Sequence, residues 1–201
     1  MSELVEQILL FASTDDCRLP NTVEALSISA IIDSSLSKMD ARIRDAGFSV
    51  VREIEPNLPS VLGNVMAISH CLNCLIDNAV KYSGESRSIE VRALAAPGED
   101  RTVQELRICV TDHGIGIDSA EMSRIFDPFY RSPRVQSAGI HGAGLGLSLT
   151  KRFAESIGGK LSVKSEPGHG SVFTLHLQFA RDVTETGDDK PVDLQTEALH
   201  G

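Results

Sequence analysis

Three polar side chains share one face of a predicted helix in the first half of the chain. The apolar residues of Val65–Ser83 recur at helical spacing, and Asn64 before them is a favourable N-cap residue. On that helix Asn78, Lys81 and Tyr82 are three and four residues apart, so they point the same way. An amide oxygen suits a hard cation such as Mg²⁺, an ammonium group suits phosphate, and an aromatic ring suits a flat base. An ordinary amphipathic helix with a polar outer face has the same pattern.

A second group follows a predicted strand near the middle of the chain. Asp112 stands at the end of that strand, and Gly114 and Gly116 follow it at alternate positions. A carboxylate can accept a hydrogen bond from the exocyclic amine of adenine, and glycines let the backbone approach a ring closely. A tight turn needs the same glycines, so this motif alone leaves both interpretations open.

A third segment, His141–Leu147, has glycine-spaced amides that lead into a helix predicted to begin near Leu145. Unpaired N–H groups at a helix start, together with the positive end of the helix dipole, favour phosphate binding. A flexible linker has a similar composition. The segment matches neither the Walker pattern nor the dinucleotide fingerprint with its strand–turn–helix context.

The rest of the sequence predicts the elements that position these groups. Apolar residues at helical spacing predict a helix from Ile28 that ends at Ala46-Gly47. Asp118 and Glu121 resemble a capping box, which predicts a short helix starting at Asp118. Helices grouped with a mostly antiparallel run of strands indicate an α+β fold, a two-layer α/β sandwich. Strands are predicted near residues 48–54, 89–94, 106–112, 160–165 and 171–179, and a further helix near 145–157.

Composition excludes several classes of protein. Among 201 residues, 28 are acidic and 19 are basic, so the net charge is −9, which disfavours binding to nucleic acid or to an anionic membrane. No segment approaches the ~20 consecutive apolar residues of a membrane-spanning helix. Four cysteines in a chain large enough to bury its own core do not indicate a disulfide framework. We therefore expect a soluble, cytoplasmic chain.

The two ends differ from the central region. Residues 1–13 show helical apolar spacing, and residues 14–27 are predicted to form a linker and a first strand. The main domain is expected to cover residues 28–180. Residues 181–201 contain six acidic and two basic residues, which predicts an acidic, disordered tail.

The order and spacing of five segments resemble those of one known family. The segments are Asn78-Ala79-x-Lys81-Tyr82, Asp112-x-Gly114-x-Gly116, Ile125-Phe126-Asp127-Pro128-Phe129-Tyr130-Arg131, Gly142-x-Gly144-Leu145-Gly146-Leu147 and Ser165-Glu166-x-Gly168-x-Gly170-Ser171-x-Phe173. They resemble the N, G1, F, G2 and last glycine boxes of sensor histidine kinases, and the resemblance covers about residues 28–179. It implies a catalytic and ATP-binding domain of the GHKL type, or Bergerat fold, in which helices pack on one face of a mixed sheet.

The resemblance also implies a role for each matching position. Asn78 would ligate Mg²⁺, Lys81 and Arg131 would contact the phosphates of ATP, and Asp112 would recognise adenine. These residues, apart from Asp112, form the implied catalytic set. The remaining implied nucleotide contacts are Tyr82, Gly114, Gly116, Ile117, Phe129, Gly142, Gly144, Leu145, Gly146, Leu147 and Ser171.

A mobile lid and a separate phosphate acceptor are further implications of the resemblance. Residues 126–144 would form the ATP lid, with Phe129 packed at its hinge. The γ-phosphate would pass to a histidine on a dimerisation domain, and indirectly to a response regulator. Residues 2–12 look like the end of the second helix of such a domain, but none of the six histidines lies in the expected acceptor box. We therefore expect this chain to be part of a longer kinase, with a natural stand-alone protein as the alternative. A non-catalytic nucleotide-sensing module and a GHKL serine kinase of the anti-sigma-factor type are the alternatives.

One position departs from the family pattern. The residue four before Asn78, commonly Asn in these kinases and Glu in related hydrolysing ATPases, is Cys74, while Asn73 is expected to face another part of the helix. Without a carboxylate to activate water, rapid ATP hydrolysis is not expected. The Cys71-x-x-Cys74 pair raises the alternatives of zinc binding and redox control. Zinc is disfavoured because no second such pair follows, and Cys71 is expected to be a packing residue.

Overall fold

Four helices and seven strands make up the described part of the chain. The computed structural model describes residues 24–98, 104–137, 139–140 and 142–180. Among these, no helix combines the length and the apolar character needed to cross a bilayer. In chain order the elements are β1 (Glu24–Leu26), α1 (Ile28–Asp45), β2 (Ser49–Ile54), β3 (Val61–Gly63), α2 (Val65–Tyr82), β4 (Ser88–Pro97), β5 (Gln104–Asp112), α3 (Pro133–Ser137), α4 (Gly146–Ser156), β6 (Lys160–Glu166) and β7 (Gly170–Gln178).

Five of the strands form one mixed sheet in the order β2-β4-β5-β7-β6. Strands β2 and β4 are parallel, and the crossover between them contains α2, whereas the other neighbours are antiparallel. The register of β5 and β7 places Asp112 directly opposite Ser171. Strands β1 and β3 form a separate antiparallel pair. The predicted two-layer, mostly antiparallel architecture is confirmed.

Helix α2 is the central helix of the layer that covers the sheet. Its predicted apolar stripe of Leu72, Leu75, Ile76 and Ala79 is at most 3% exposed and belongs to the hydrophobic core. The Asn64 side chain caps the helix as predicted, because its Oδ1 accepts hydrogen bonds from the backbone N–H groups of residues 66 and 67 at 2.9 and 3.1 Å. With one face committed to the core, the opposite face of α2 is available to line a site.

The sequence-predicted elements differ from the structure mainly around Asp118. The predicted short helix is wrong, and residues 119–126 form turns. Asp118 Oδ1 accepts from the N–H of Ala120 at 2.9 Å, two residues on, instead of capping a third position. The Glu121 carboxylate accepts from the Tyr130 hydroxyl at 3.0 Å, so it does not complete a capping box. Elements β3 and α3 had no predicted counterpart, while the predicted N-terminal helix and acidic tail lie outside the described residues.

The loop after β5 is held tightly between two other parts of the chain. A Cβ added to Gly114 would lie 1.9 Å from the Tyr82 carbonyl oxygen, and one added to Gly116 would lie 2.0 Å from the Glu166 carbonyl oxygen. Gly116 also has φ +63°, which disfavours other residues. The Ile115 N–H donates to the Tyr82 carbonyl at 3.1 Å. These glycines therefore permit close approach to protein backbone, and they join the end of α2 to the β6–β7 turn.

A polar network crosses the outer face of the sheet. Glu105 on β5 accepts hydrogen bonds from Arg107 Nε at 2.7 Å and from His176 Nδ1 at 2.8 Å, and Ser162 Oγ lies 2.7 Å from His176 Nε2. Burial raises the pKa of Glu105, but the hydrogen bonds from His176 and Arg107 outweigh it and leave the pKa below its usual range. The network therefore connects β5, β7 and β6.

Replacing Gly114 tests the close contact between its backbone and the Tyr82 carbonyl group. We expect Gly114→Ala to lower the free energy of unfolding by more than about 3 kcal/mol, because the new methyl group meets fixed backbone. Gly142→Ala is the matched control, since a Cβ there meets nothing within 4 Å and the change should stay within about 0.5 kcal/mol. Urea denaturation measures the free energy of unfolding of both variants. Equal losses of stability would contradict a steric role for the contact between Gly114 and Tyr82.

Replacing Glu105 should change how stability depends on pH. A carboxyl group whose pKa is lowered by folding adds stability above its unfolded pKa, and this stability is lost as pH falls through the folded pKa. The stability difference between wild type and Glu105→Gln should therefore be largest near neutral pH and should shrink as the pH falls below about 4.3. Denaturation at several pH values measures it. Glu53→Gln is the control, because Glu53 is 55% exposed in its ion pair with Arg92.

Candidate functional site

A cavity of about 910 Å³ opens between α1, α2, the start of α4 and the loop after β5. Its wall contains residues from each of the three segments singled out in the sequence, which are far apart along the chain. This convergence supports a single binding site. The predicted site residues on the wall are Asn78, Lys81, Tyr82, Asp112, Gly116, Ile117, Arg131, Gly142, Gly144, Gly146, Leu147 and Ser171.

Three predicted contacts do not line the cavity. Gly114 packs against the backbone of Tyr82, and Leu145 is fully buried in the core. The prediction that Phe129 packs at the hinge is wrong for its side chain, which is 63% exposed. Its backbone has φ +64°, and its N–H donates to the Gly144 carbonyl at 2.8 Å. The main chain of Phe129 therefore contacts the residues just before α4.

The buried end of the cavity is formed by Asp112 and Ser171, which are 5% and 6% exposed. Asp112 Oδ1 accepts from the Gly114 N–H at 2.9 Å. The Ser171 hydroxyl lies 2.9 Å from Ser165 Oγ, which in turn accepts from the Ile117 N–H at 2.8 Å. Burial raises the pKa of Asp112, although hydrogen bonds from the Gly114 backbone and from Ser171 oppose this shift. A carboxylate held in this way keeps free lone pairs that can accept a hydrogen bond from a ligand donor.

Helix α2 supplies the amide, the cation and the aromatic ring that the sequence predicts. Asn78 Nδ2 lies 3.9 Å from Cys74 Sγ, so its Oδ1 is the end of the amide that can serve a cation. Lys81 Nζ lies 2.6 Å from Asp77 Oδ2. Burial raises the pKa of Tyr82, so its phenol stays neutral. The face presented to the cavity is thus mixed in charge.

The segment between β5 and α4 covers the opposite side of the cavity. It contains α3, and Arg134 Nη1 donates to the Ile115 carbonyl at 3.1 Å. Arg131 lines the cavity, and its guanidinium donates to the Ile140 carbonyl. Both arginines therefore donate to carbonyl groups within this same segment.

Helix α4 begins at the cavity wall without a side-chain cap. Its N-cap residue Leu145 makes no capping hydrogen bond, while Gly144, Gly146 and Leu147 line the cavity. A Cβ added to Gly146 would lie 2.9 Å from Cys74 Sγ, so α4 starts in close contact with α2. The first N–H groups of α4 and the positive end of its dipole make this a site for an anion.

The structure adds cavity residues that sequence reasoning missed. Asn73 was expected to face another part of α2, but it lies on the cavity wall, and its buried Oδ1 has no hydrogen-bond partner among the described residues. Asp77 and Arg42 also line the cavity. Asn73, Asp77 and Lys81 are four residues apart, so they share one face of α2. Because Lys81 is a predicted site residue, this spacing could have identified Asn73 and Asp77. Arg42 lies on α1, in no recognised motif.

The donor atoms on α2 fit a hard cation. The unpartnered Oδ1 of Asn73 and the amide of Asn78 provide neutral oxygen ligands of the kind that Mg²⁺ accepts. Within the described ranges, no group of three or more His, Cys, Asp or Glu side chains could hold a metal ion.

The two cysteines of α2 both have a raised pKa. Cys71 is fully buried, as predicted for a packing residue, and burial raises its pKa. Burial also raises the pKa of Cys74 to about 11, so both thiols are protonated at neutral pH. Since the thiolate is the reactive form, the raised pKa disfavours redox control through Cys74.

Comparison with known proteins gives matches in sequence. The family described as histidine kinase-, DNA gyrase B-, and HSP90-like ATPase matches residues 63–181. Sensor-like histidine kinase SenX3 of Mycobacterium tuberculosis is 32% identical over 160 residues, which cover 80% of this chain and 37% of that protein. The adaptive-response sensory kinase SasA of Synechocystis sp. is 29% identical over 181 residues, covering 90% of this chain and 45% of that protein. The chain thus spans less than half the length of these relatives.

Solved structures give matches in fold. Full-length ShkA in complex with AMPPNP superposes with a TM-score of 0.74 at 26% identity, covering 88% of this chain and 35% of that one. The nucleotide-free catalytic domain of histidine kinase ThkA has a TM-score of 0.61 at 20% identity, covering 77% and 95% respectively, which shows the fold alone.

The matched family region begins at the end of β3 and runs through all the strands that follow. It contains α2, the Asp112 loop and α4, which together form most of the cavity wall. The chain therefore belongs to the histidine kinase-, DNA gyrase B- and HSP90-like ATPase family, with sensor histidine kinases among its relatives.

Proposed function

We propose that this chain binds Mg·ATP and transfers the γ-phosphate to a histidine of a dimerisation domain. The observation that carries the proposal is the joining, in one cavity, of a buried carboxylate, a helix face with amides and a cation, and an uncapped helix start. Adenine, Mg²⁺ and phosphate each need one of these features. Phosphoryl transfer depends mainly on positioning and charge neutralisation, which such a cavity can supply.

Asp112 is the proposed adenine-recognition residue. Its carboxylate is fixed by the Gly114 N–H, and it faces Ser171 across the β5–β7 ladder, so the hydrogen-bond acceptor is already oriented before a ligand arrives. Ile117 and Tyr82 provide nonpolar surface on the same cavity wall for the base.

The phosphates would lie toward the start of α4. There the amides near Gly142, Gly144 and Gly146 would donate hydrogen bonds, while Lys81 and Arg131 would neutralise charge. Asn78, with Asn73 as a second oxygen donor, would hold Mg²⁺, which when bound lowers the negative charge of the phosphate tail.

Direct ATP hydrolysis is not part of the proposal. The position that needs a general base is occupied by Cys74, whose pKa of about 11 keeps the thiol protonated. The phosphate would therefore pass to an acceptor imidazole on the dimerisation domain, and from there to a response regulator. A reaction that consumes ATP in this way belongs in the cytoplasm.

A nucleotide-sensing module without transfer is the second candidate. Two observations favour it, since Lys81 is paired with Asp77 and Arg131 donates to the Ile140 carbonyl. In that case the closing of residues 126–144 over ATP would be the output. A GHKL serine kinase is the third alternative, and the chemistry of the product separates it from the first.

The decisive experiment is incubation with Mg²⁺ and γ-labelled ATP, with and without an added dimerisation domain that carries the acceptor histidine. Label that appears only on the added domain and is lost in acid supports histidine kinase activity. Label that survives acid indicates a serine kinase. ATP binding without label would support the sensing module.

Asn78→Asp should abolish the transfer of label. The new carboxylate adds negative charge beside the phosphates, and we expect a loss of at least about 100-fold in rate. Asn57→Asp makes the same chemical change at an exposed position with φ +59°, which aspartate tolerates, so it should keep wild-type activity. Full labelling by Asn78→Asp would refute its role.

Asp112→Asn should abolish the binding of ATP without lowering the stability of the fold. Because burial raises the folded pKa of Asp112, its ionisation costs stability above the unfolded pKa, and this cost disappears at low pH where both states are protonated. A neutral amide that keeps one acceptor for Gly114 should melt at the same or a higher temperature than wild type at pH 7. The rise in melting temperature that ATP gives wild type should be absent. A normal ATP-induced rise would contradict the role of Asp112.

A further inference from the structure

A carboxylate lies between two cations on the wall of the proposed nucleotide site. Asp77 Oδ2 is 2.6 Å from Lys81 Nζ, one turn along α2, and Asp77 Oδ1 is 2.6 Å from Arg42 Nη2 on α1. All three side chains line the cavity. The Asp77 side chain is 16% exposed, that of Lys81 25% and that of Arg42 45%. The cluster therefore joins two helices at the mouth of the cavity.

The contact between Asp77 and Arg42 is an ion pair without a hydrogen bond. Oδ1 has no hydrogen bond of acceptable geometry among the described residues, although the Arg42 guanidinium is within ion-pair distance. Lys81 can rotate about its own side-chain bonds, and Arg42 is nearly half exposed. Because Asp77 Oδ1 is buried and accepts no hydrogen bond from the described part of the chain, its negative charge is incompletely satisfied, whereas the more exposed Lys81 and Arg42 can turn toward another anion.

The position of Asp77 opposes the binding of a polyanion. A triphosphate entering the cavity meets a carboxylate at the place where Lys81 must act, so Asp77 repels the ligand and competes for the same cations. Before a ligand binds, the cluster contains one negative group, Asp77, and two positive groups, Lys81 and Arg42. Removing Asp77 from its partners would expose both cations to the phosphates.

We propose that Asp77 is a competing anion that the phosphate tail displaces, which releases Lys81 and recruits Arg42 as a further phosphate contact. The inference rests on the proposed function, because it assumes that ATP occupies this cavity. It adds a residue that opposes phosphate binding, Asp77, and a residue that favours ligands with phosphates, Arg42, both outside the cation contacts implied by the recognised motifs. The cluster makes affinity depend on the phosphates of the ligand and leaves binding of the adenosine portion unaffected.

A purely structural role for the cluster makes a different prediction. If Asp77 only holds α1 against α2, its loss should loosen the cavity and weaken ATP and adenosine alike. If Asp77 orients Lys81 toward the phosphates, its loss should weaken ATP binding. Competition alone predicts that ATP binding becomes tighter while adenosine binding stays the same.

The test is isothermal titration of the full chain with ATP, ADP and adenosine, with EDTA present and then with Mg²⁺. Asp77→Asn should tighten ATP binding in EDTA by about three- to tenfold, and the gain should be smaller for ADP. Arg42→Gln should weaken ATP binding by a similar factor, and it remains informative if Asp77→Asn fails to fold. Neither variant should change adenosine affinity. Asp40→Asn is the matched control, since it removes an exposed carboxylate paired with Arg44 at 2.7 Å on α1, and ATP affinity should stay within about twofold.

Three results would overturn the inference. Unchanged or weaker ATP binding by Asp77→Asn would exclude competition, and equal changes for ATP and adenosine would indicate a structural role. Unchanged ATP affinity in Arg42→Gln would remove Arg42 from the phosphate contacts. Absence of ATP binding by wild type would instead reject the proposed function, and with it the inference, so the two failures are distinguishable.

Discussion

The close approach of the Gly114 backbone to the Tyr82 carbonyl holds the whole site together. At this contact the last turn of α2 meets the end of β5, so the helix face that carries Asn78 and Lys81 is placed over the strand that ends in Asp112. Only a residue without a side chain allows the contact, since any Cβ would overlap a backbone oxygen. The geometry of the cavity therefore depends on steric exclusion between main-chain atoms, which is stiffer than any side-chain interaction.

The parts of the fold with strong periodicity could be predicted from the sequence. The stripe of α2 and the alternation of the strands follow from burial on one face, and Asn64 and Asp112 follow from local chemistry. The Asp118 helix failed because an Asx turn and the bond between Glu121 and Tyr130 satisfied the groups that a capping box would use. Local sequence contains both possibilities, and only the position of Tyr130 decides between them.

The site was less predictable than the fold for the same reason. Residues in glycine motifs were found because their spacing is local, whereas Arg42 reaches the cavity from a helix about 35 residues before Asp77 and has no signal of its own. Asn73 was misplaced because a helical projection separates it from Asn78, although a cavity as wide as this one accepts two adjacent stripes of α2. Phe129 shows the opposite error, since its motif predicts packing but its left-handed backbone turns the ring outward.

The contact between Gly146 and Cys74 couples two positions that the motifs treat as independent. Because a Cβ at 146 would lie 2.9 Å from the Cys74 sulfur, the volume available at one position is limited by the residue at the other. A side chain of the size of cysteine or larger at position 74 is therefore compatible only with glycine at position 146. The departure from the family pattern at Cys74 therefore still requires a glycine at the start of α4, because the cysteine sulfur occupies the space that a Cβ at 146 would need.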